Sequence, residues 1–128
     1  MRSGIDPSPS KSFMPMPPVE FVDTEQFLTF LKRAIDEDTQ WVVFEPNNEV
    51  LWERVKDKIH SFLRAQWRAS HLKGLTEDEA FTIVCDRSSM TQDDILNGRL
   101  ICEIGVAPVR PAEFVIFRLL QNTADAQV

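Results

Sequence analysis

The sequence predicts an α+β fold: a small mixed sheet of about three to four strands on two main helices, with extended N- and C-terminal arms. Three observations predict it. Two stretches carry apolar residues at helical spacing, each preceded by capping residues. Four short runs rich in β-branched and aromatic residues alternate with them, stopped by Gly, Pro or polar residues. Prolines crowd the segment before the first helix and bracket the lead into the last apolar run.

Residues 1–22 read as an arm. Pro7, Pro9, Pro15, Pro17 and Pro18 remove backbone donors and bias their predecessors away from helix. Its second half is apolar, with Phe13, Met14, Met16, Val19, Phe21 and Val22, so that half is expected to dock on its own domain or on a neighbour. The domain is expected over 23–121, with 122–128 as a tail. Asp23 and Gln26 form a capping box for a helix over about 23–36, whose apolar face is Phe27, Leu28, Leu31, Ala34 and Ile35. Gln40 to Glu45 reads as a buried strand ended by Pro46. Asn47 or Asn48 then caps a long helix with the stripe Val50, Leu51, Val55, Ile59, Phe62, Leu63 and Trp67, and Gly74 suits its stop. Strands follow at Phe81–Cys85, Leu100–Val106 and Glu113–Leu120, with a one-turn helix over 92–97 opened by Thr91 to Asp94. The order is αβαβ(α)ββ.

A chain of 128 residues has room for one self-folding domain. Its net charge of -6 argues against nucleic acid as a partner, because phosphate binding rests on an excess of Lys and Arg. No apolar run reaches the length of a membrane span, and Met1 to Pro7 lack the apolar core of a signal peptide, so cytosolic synthesis is expected. Cys85 and Cys102 each sit in an apolar run and read as small buried thiols in a reducing compartment.

An enzyme should show converging polar groups. His60 and His71, read on the long helix, are roughly 16 Å apart along its axis at 1.5 Å per residue, with no third ligand near either. They read as solvated helix histidines, and no metal site is expected. A Cys85 nucleophile with a His71 base is disfavoured by the apolar strand and by Asp86 beside the thiol. Four glycines form no phosphate-cradling loop, so no cofactor is expected. Asp36-Glu37-Asp38 and Glu77-Asp78-Glu79 read as solvated turns.

Between residues 49 and 73 the net charge is +3, against -6 for the whole chain. Arg64, Arg68 and His71 share a helical face, and with Lys73 they form a basic strip. The strip is either a solvated face with local ion pairs or a surface that docks an acidic partner. Phe114, Val115, Ile116, Phe117, Arg118, Leu119 and Leu120 either fold onto their own sheet or reach a neighbour's sheet edge. Pro108 and Pro111 stiffen the lead and oppose a tight hairpin, which favours the reach.

These residues carry a resemblance. Thr39-Gln40-Trp41-Val42-Val43-Phe44-Glu45-Pro46-Asn47, followed by Leu51-Trp52, resembles a stretch of contractile phage tail sheath proteins. Cys85-Asp86-Arg87, Thr91 to Ile95, Gly98-Arg99-Leu100, Gly105 to Pro108 and Pro111 to Ile116 resemble the family's later blocks in the family's order. The family includes myophage sheaths, pyocin-like particles and extracellular contractile injection systems. Its members carry several hundred residues before this domain, where the present sequence has the Pro-rich arm. The resemblance implies a C-terminal sheath domain with no enzymatic role, assembled in the bacterial cytoplasm and resident in a virion tail or tail-like particle. Its partners would be copies of itself or sheath homologues, an inner tube protein, and baseplate or terminator proteins. Subunits of the family lend strands to one another's sheets. Here the lent strand would be 114–120, the other arm 13–22, and the tube-facing strip Arg64, Arg68 and Lys73. The alternative is an adaptor or initiator that binds sheath ends without polymerising.

Overall fold

In the computed structural model of the chain, residues 24–109 and 113–126 are described. The arm over 1–22, with Phe13, Met14, Val19 and Phe21, and the capping residue Asp23 lie outside the described residues. The first helix, α1 (Thr24–Asp38), buries Phe27, Leu31 and Ile35 at helical spacing. Its acidic C-terminus opposes the helix dipole, and donors from elsewhere relieve the exposed carbonyls. Thr39 Oγ1 donates to the Ile35 carbonyl at 2.8 Å, Trp41 Nε1 to that of Asp38 at 2.8 Å, and Gln121 Nε2 to that of Asp36 at 3.0 Å.

Gln40–Phe44 is a 3-10 helix and not the expected strand. Val42 N–H donates to the Thr39 carbonyl and Glu45 N–H to that of Val42, the three-residue pattern of that helix. Only Val42 is fully buried, while Phe44 is 82% exposed, so the run wedges one side chain into the core instead of presenting a strand face. The Trp41 ring lies under the Arg54 guanidinium at 4.7 Å.

The long helix α2 (Glu49–Arg68) starts at Asn48, whose side chain accepts from Leu51 N–H at 3.1 Å. Leu51, Trp52, Val55, Ile59, Leu63 and Gln66 face inward, whereas Val50 is exposed and does not join the stripe. The helix stops six residues before Gly74. Ser70, at φ 68, takes the left-handed position; its N–H bonds the Trp67 carbonyl and the next N–H, of His71, bonds that of Gln66. His71 therefore lies off the helix. It is buried, with Nδ1 2.9 Å from Gln66 Oε1 and its ring edge-on to Phe27, and is not a solvated helix histidine.

A short helix, α3 (Glu77–Ala80), leads into β1 (Phe81–Val84). Then α4 (Gln92–Leu96) opens with a capping box, Thr91 Oγ1 accepting from Asp94 N–H while the Asp94 carboxylate accepts from Thr91 N–H. Strands β2 (Arg99–Val106) and β3 (Val115–Asn122) complete a three-stranded sheet of order β1-β2-β3. Both pairings are antiparallel, so the described sheet is not mixed. Strand β2 alternates as a half-buried strand should: Leu100, Cys102, Ile104 and Val106 have no exposure and meet the buried faces of α1 and α2. The α+β class is as expected, with two main helices over one sheet.

Candidate assembly interface

The central strand β2 leaves β1 and β3 as the two rims of the sheet, and no described strand pairs with the outer side of either. The residues expected to reach a neighbour are on β3 and in its lead. Along its whole length β3 pairs with β2 of its own chain, from Arg99 opposite Asn122 to Val106 opposite Val115. Strand β2 ends at Val106 and β3 begins at Val115, and lengthening a loop costs little entropy beside an eight-residue ladder. Pro108 sits in a bridge with Leu72, and Lys73 N–H donates to the Ala107 carbonyl at 2.7 Å.

Two chemical rows run along β3. Leu119 is buried and Val115, Phe117 and Gln121 are half-buried toward the helices. Phe114, Ile116 and Leu120 point away and are 48%, 66% and 57% exposed, an apolar row beside an open backbone rim. Arg118 shares that row and pairs with Glu103 across the ladder at 3.2 Å. Phe114 also explains Gly105: a Cβ there would fall on the Phe114 ring and on Thr82 Oγ1, so the missing side chain lets the aromatic ring lie over β2.

A cleft of about 440 Å³ runs between α1 and β3, lined by Lys32, Arg33, Asp36, Phe117 and Leu120 among others. Lys32 Nζ stands 5.5 Å from the Phe117 ring centre. At the other rim a cleft of about 350 Å³ runs beside β1, lined by Lys56, His60, Glu77, Thr82 and Ile83 among others. There Glu77 receives His60 Nε2 at 2.9 Å and Arg64 Nε. The Arg64 guanidinium against it holds the Glu77 carboxyl below its ordinary range, helped by His60.

The basic strip is thus divided. Arg64 is half-buried and engaged by Glu77, Arg68 is exposed in the last turn of α2, and Lys73 is exposed in the loop beyond it. Sequence reasoning missed a buried polar hub at Asn47. Its side chain accepts from Trp52 Nε1 at 2.8 Å and donates to the carbonyls of Arg99 and Ile95 at 3.2 and 3.4 Å. Its backbone N–H donates to Asp125 at 2.9 Å, tying the end of the chain to the start of α2. Among the described residues no cluster of side chains could hold a metal ion, and no helix is long and apolar enough to cross a membrane.

Among the described residues the sheet thus has two rims without a strand partner, one of them fringed by apolar side chains. Residues 16–121 match the phage tail sheath C-terminal domain, and the chain belongs to that family. Solved structures agree. A chain of the anti-feeding prophage (AFP) baseplate, 6-fold symmetrised, is 35% identical with a TM-score of 0.64, over 77% of this chain and 28% of that one. A chain of the PVC sheath complex of an extracellular contractile injection system, in the contracted state, is 35% identical with a TM-score of 0.63, over 72% and 26%. The chain thus spans about a quarter of the length of the solved chains it matches. A search of curated protein sequences returned no match.

Proposed function

We propose that the chain is a structural subunit of a contractile tail-type sheath, joining neighbouring copies by lending residues 114–120 to their sheets around an inner tube. The observation that carries the reading is the pair of open sheet rims, with the apolar row beside β3, in a domain of a sheath family. A strand that pairs within its own chain can make the same ladder in a neighbour, because exchange of identical elements preserves every contact except those of the hinge. The residues between Val106 and Val115 would serve as that hinge, and the apolar arm over 13–22 would be a second segment to lend. Arg68 and Lys73, the exposed remainder of the divided basic strip, face the tube. The work is mechanical, with no substrate or cofactor. Assembly takes place in the bacterial cytoplasm and the product belongs to a virion tail or tail-like particle.

Register gives the test. Glu103 and Arg118 are opposite one another. Copies carrying Glu103→Cys are mixed with copies carrying Arg118→Cys and treated briefly with a short bismaleimide, to which the buried native thiols are slow. A covalent pair of different copies is the expected product. If only the double variant reacts, within one chain, strand lending is refuted. A second reading, a sheath-end adaptor that does not polymerise, is favoured by the likeness to the anti-feeding prophage baseplate chain. Electron micrographs of the purified protein separate the two: filaments or rings support the sheath subunit, and single particles support the adaptor.

A further inference from the structure

The β1–β2 ladder ends with Val84 opposite Glu103, and its next step sets Cys85 opposite Cys102. The type of that step can be counted. Ala107 N–H donates to the Ala80 carbonyl at 2.9 Å, so residues 80 and 107 are a hydrogen-bonded pair. Hydrogen-bonded and non-hydrogen-bonded pairs alternate along an antiparallel ladder, which makes 85 and 102 a non-hydrogen-bonded pair. At such a pair the Cα atoms are about 4.5 Å apart and the side chains are at their closest. A disulfide accepts Cα separations from about 4.4 Å upward. Both thiols are free and buried.

We propose that Cys85 and Cys102 are a modification site: a peroxide converts the two thiols, within the folded domain, into a reversible disulfide that staples the rim strand β1 to the central strand β2. The route of attack is asymmetric. Cys85, itself only 1% exposed, borders a cleft of about 560 Å³ with Trp52, Asp86 and Arg87, whereas Cys102 has no exposure at all. Cys85 Sγ therefore meets the oxidant. It attacks one peroxide oxygen, the O–O bond breaks, and the departing oxygen takes the Cys85 proton and leaves as water, giving a sulfenic acid. Cys102 Sγ then attacks Cys85 Sγ, the S–O bond breaks, and a second water leaves with the Cys102 proton. Two S–H bonds are exchanged for one S–S bond, and one hydrogen peroxide is reduced to two waters.

The bond is reversible by exchange with an external thiol, and burial makes the site selective. The Cys85 thiol beside it, together with burial, raises the Cys102 thiol far above its ordinary range, and with both thiols buried the reduced pair resists indiscriminate alkylation. In an assembled sheath the staple would keep β1 from peeling when its rim is loaded. That consequence rests on the strand-lending reading, while the thiol chemistry does not.

The experiment uses the full chain in native buffer with hydrogen peroxide, followed by intact mass, thiol count and peptide mapping. The expected result is a loss of about 2 Da, both thiols consumed, one peptide linking Cys85 to Cys102, and full reversal by dithiothreitol. The Cys102→Ser variant is expected to gain about 16 Da at Cys85 and to lose the 2 Da product. The proposal is overturned if the wild-type chain, with its circular dichroism unchanged, gains oxygen without linkage or links only between copies. It is equally overturned if the 2 Da product forms only in urea. A negative bismaleimide result with a positive peroxide result would sink strand lending and leave the disulfide standing.

Discussion

Replacing Asn47 with alanine tests whether the buried amide holds the fold together. The substitution leaves the buried Trp52 indole N–H without its acceptor and the part-buried Arg99 carbonyl without its donor. An unsatisfied buried donor costs about 1–3 kcal/mol, and each lost hydrogen bond adds about 1 kcal/mol. The total is about 3 kcal/mol. With a urea slope of about 1.5 kcal/mol per molar, the unfolding midpoint should fall by about 2 M. Tryptophan fluorescence during urea titration reads the change, since Trp52 lies in the affected pocket. A Trp52→Phe variant and the double variant complete a cycle. If the two side chains act through one bond, the double variant loses about 1 kcal/mol less than the sum of the singles. A midpoint shift below about 0.3 M would mean that water replaces the amide at no cost, and the assignment of Asn47 as a hub would fall.

Two further substitutions probe other parts of the frame. Gly98 has a φ of 73, and a Cβ there would fall on the Ala126 nitrogen and the Asp125 carbonyl carbon. Gly98→Ala should therefore lower stability by at least about 1–2 kcal/mol from the backbone alone, read as a lower melting temperature, and an unchanged melt would contradict the placement of residues 123–126. Asp94 is lowered to about 2, first by the Thr91 backbone N–H and then by Arg99. A carboxyl with a depressed folded value adds stability above its unfolded value, near 4, and loses it as pH falls toward 2. Chemical denaturation at several pH values should then show wild type ahead of Asp94→Asn at pH 6 and the gap closing below pH 4; a gap independent of pH would refute the assignment.

How far the sequence led can be judged from particular residues. Helices α2 and α4 were legible because periodicity and caps coincide: Asn48 and Thr91 both accept the backbone bonds expected of them. Strand β2 was legible from its run of inward residues. The segment Gln40–Phe44 was not, because a short apolar run has no period long enough to separate a strand from a tight helix. The end of α2 was misread because the left-handed residue is Ser70, while Gly74, the expected choice, sits further on at φ 124. That shift removed His71 from the helix face and split the basic strip. The Asn47 hub left only a faint signal, a capping doublet before Leu-Trp, because a side chain that bridges three elements has no local pattern. For β3, composition showed an apolar strand but not which sheet would take it, since cis and trans pairing use the same residues.

The last described turn of the chain has a mechanical meaning. Beyond β3, Thr123 N–H and Oγ1 bond the Gly98 carbonyl, Ala124 N–H bonds that of Glu45, and the Asp125 carboxylate takes the Asn47 N–H. These bonds form a clasp at the far end of the β2–β3 ladder. Tension drawn along β3 loads the rungs and the clasp together, in shear, whereas tension applied sideways opens them one after another like a zip. The joint is thus stiffer to lengthwise pull than to lateral peeling, the geometry that the strand-lending proposal needs if copies are joined under axial strain.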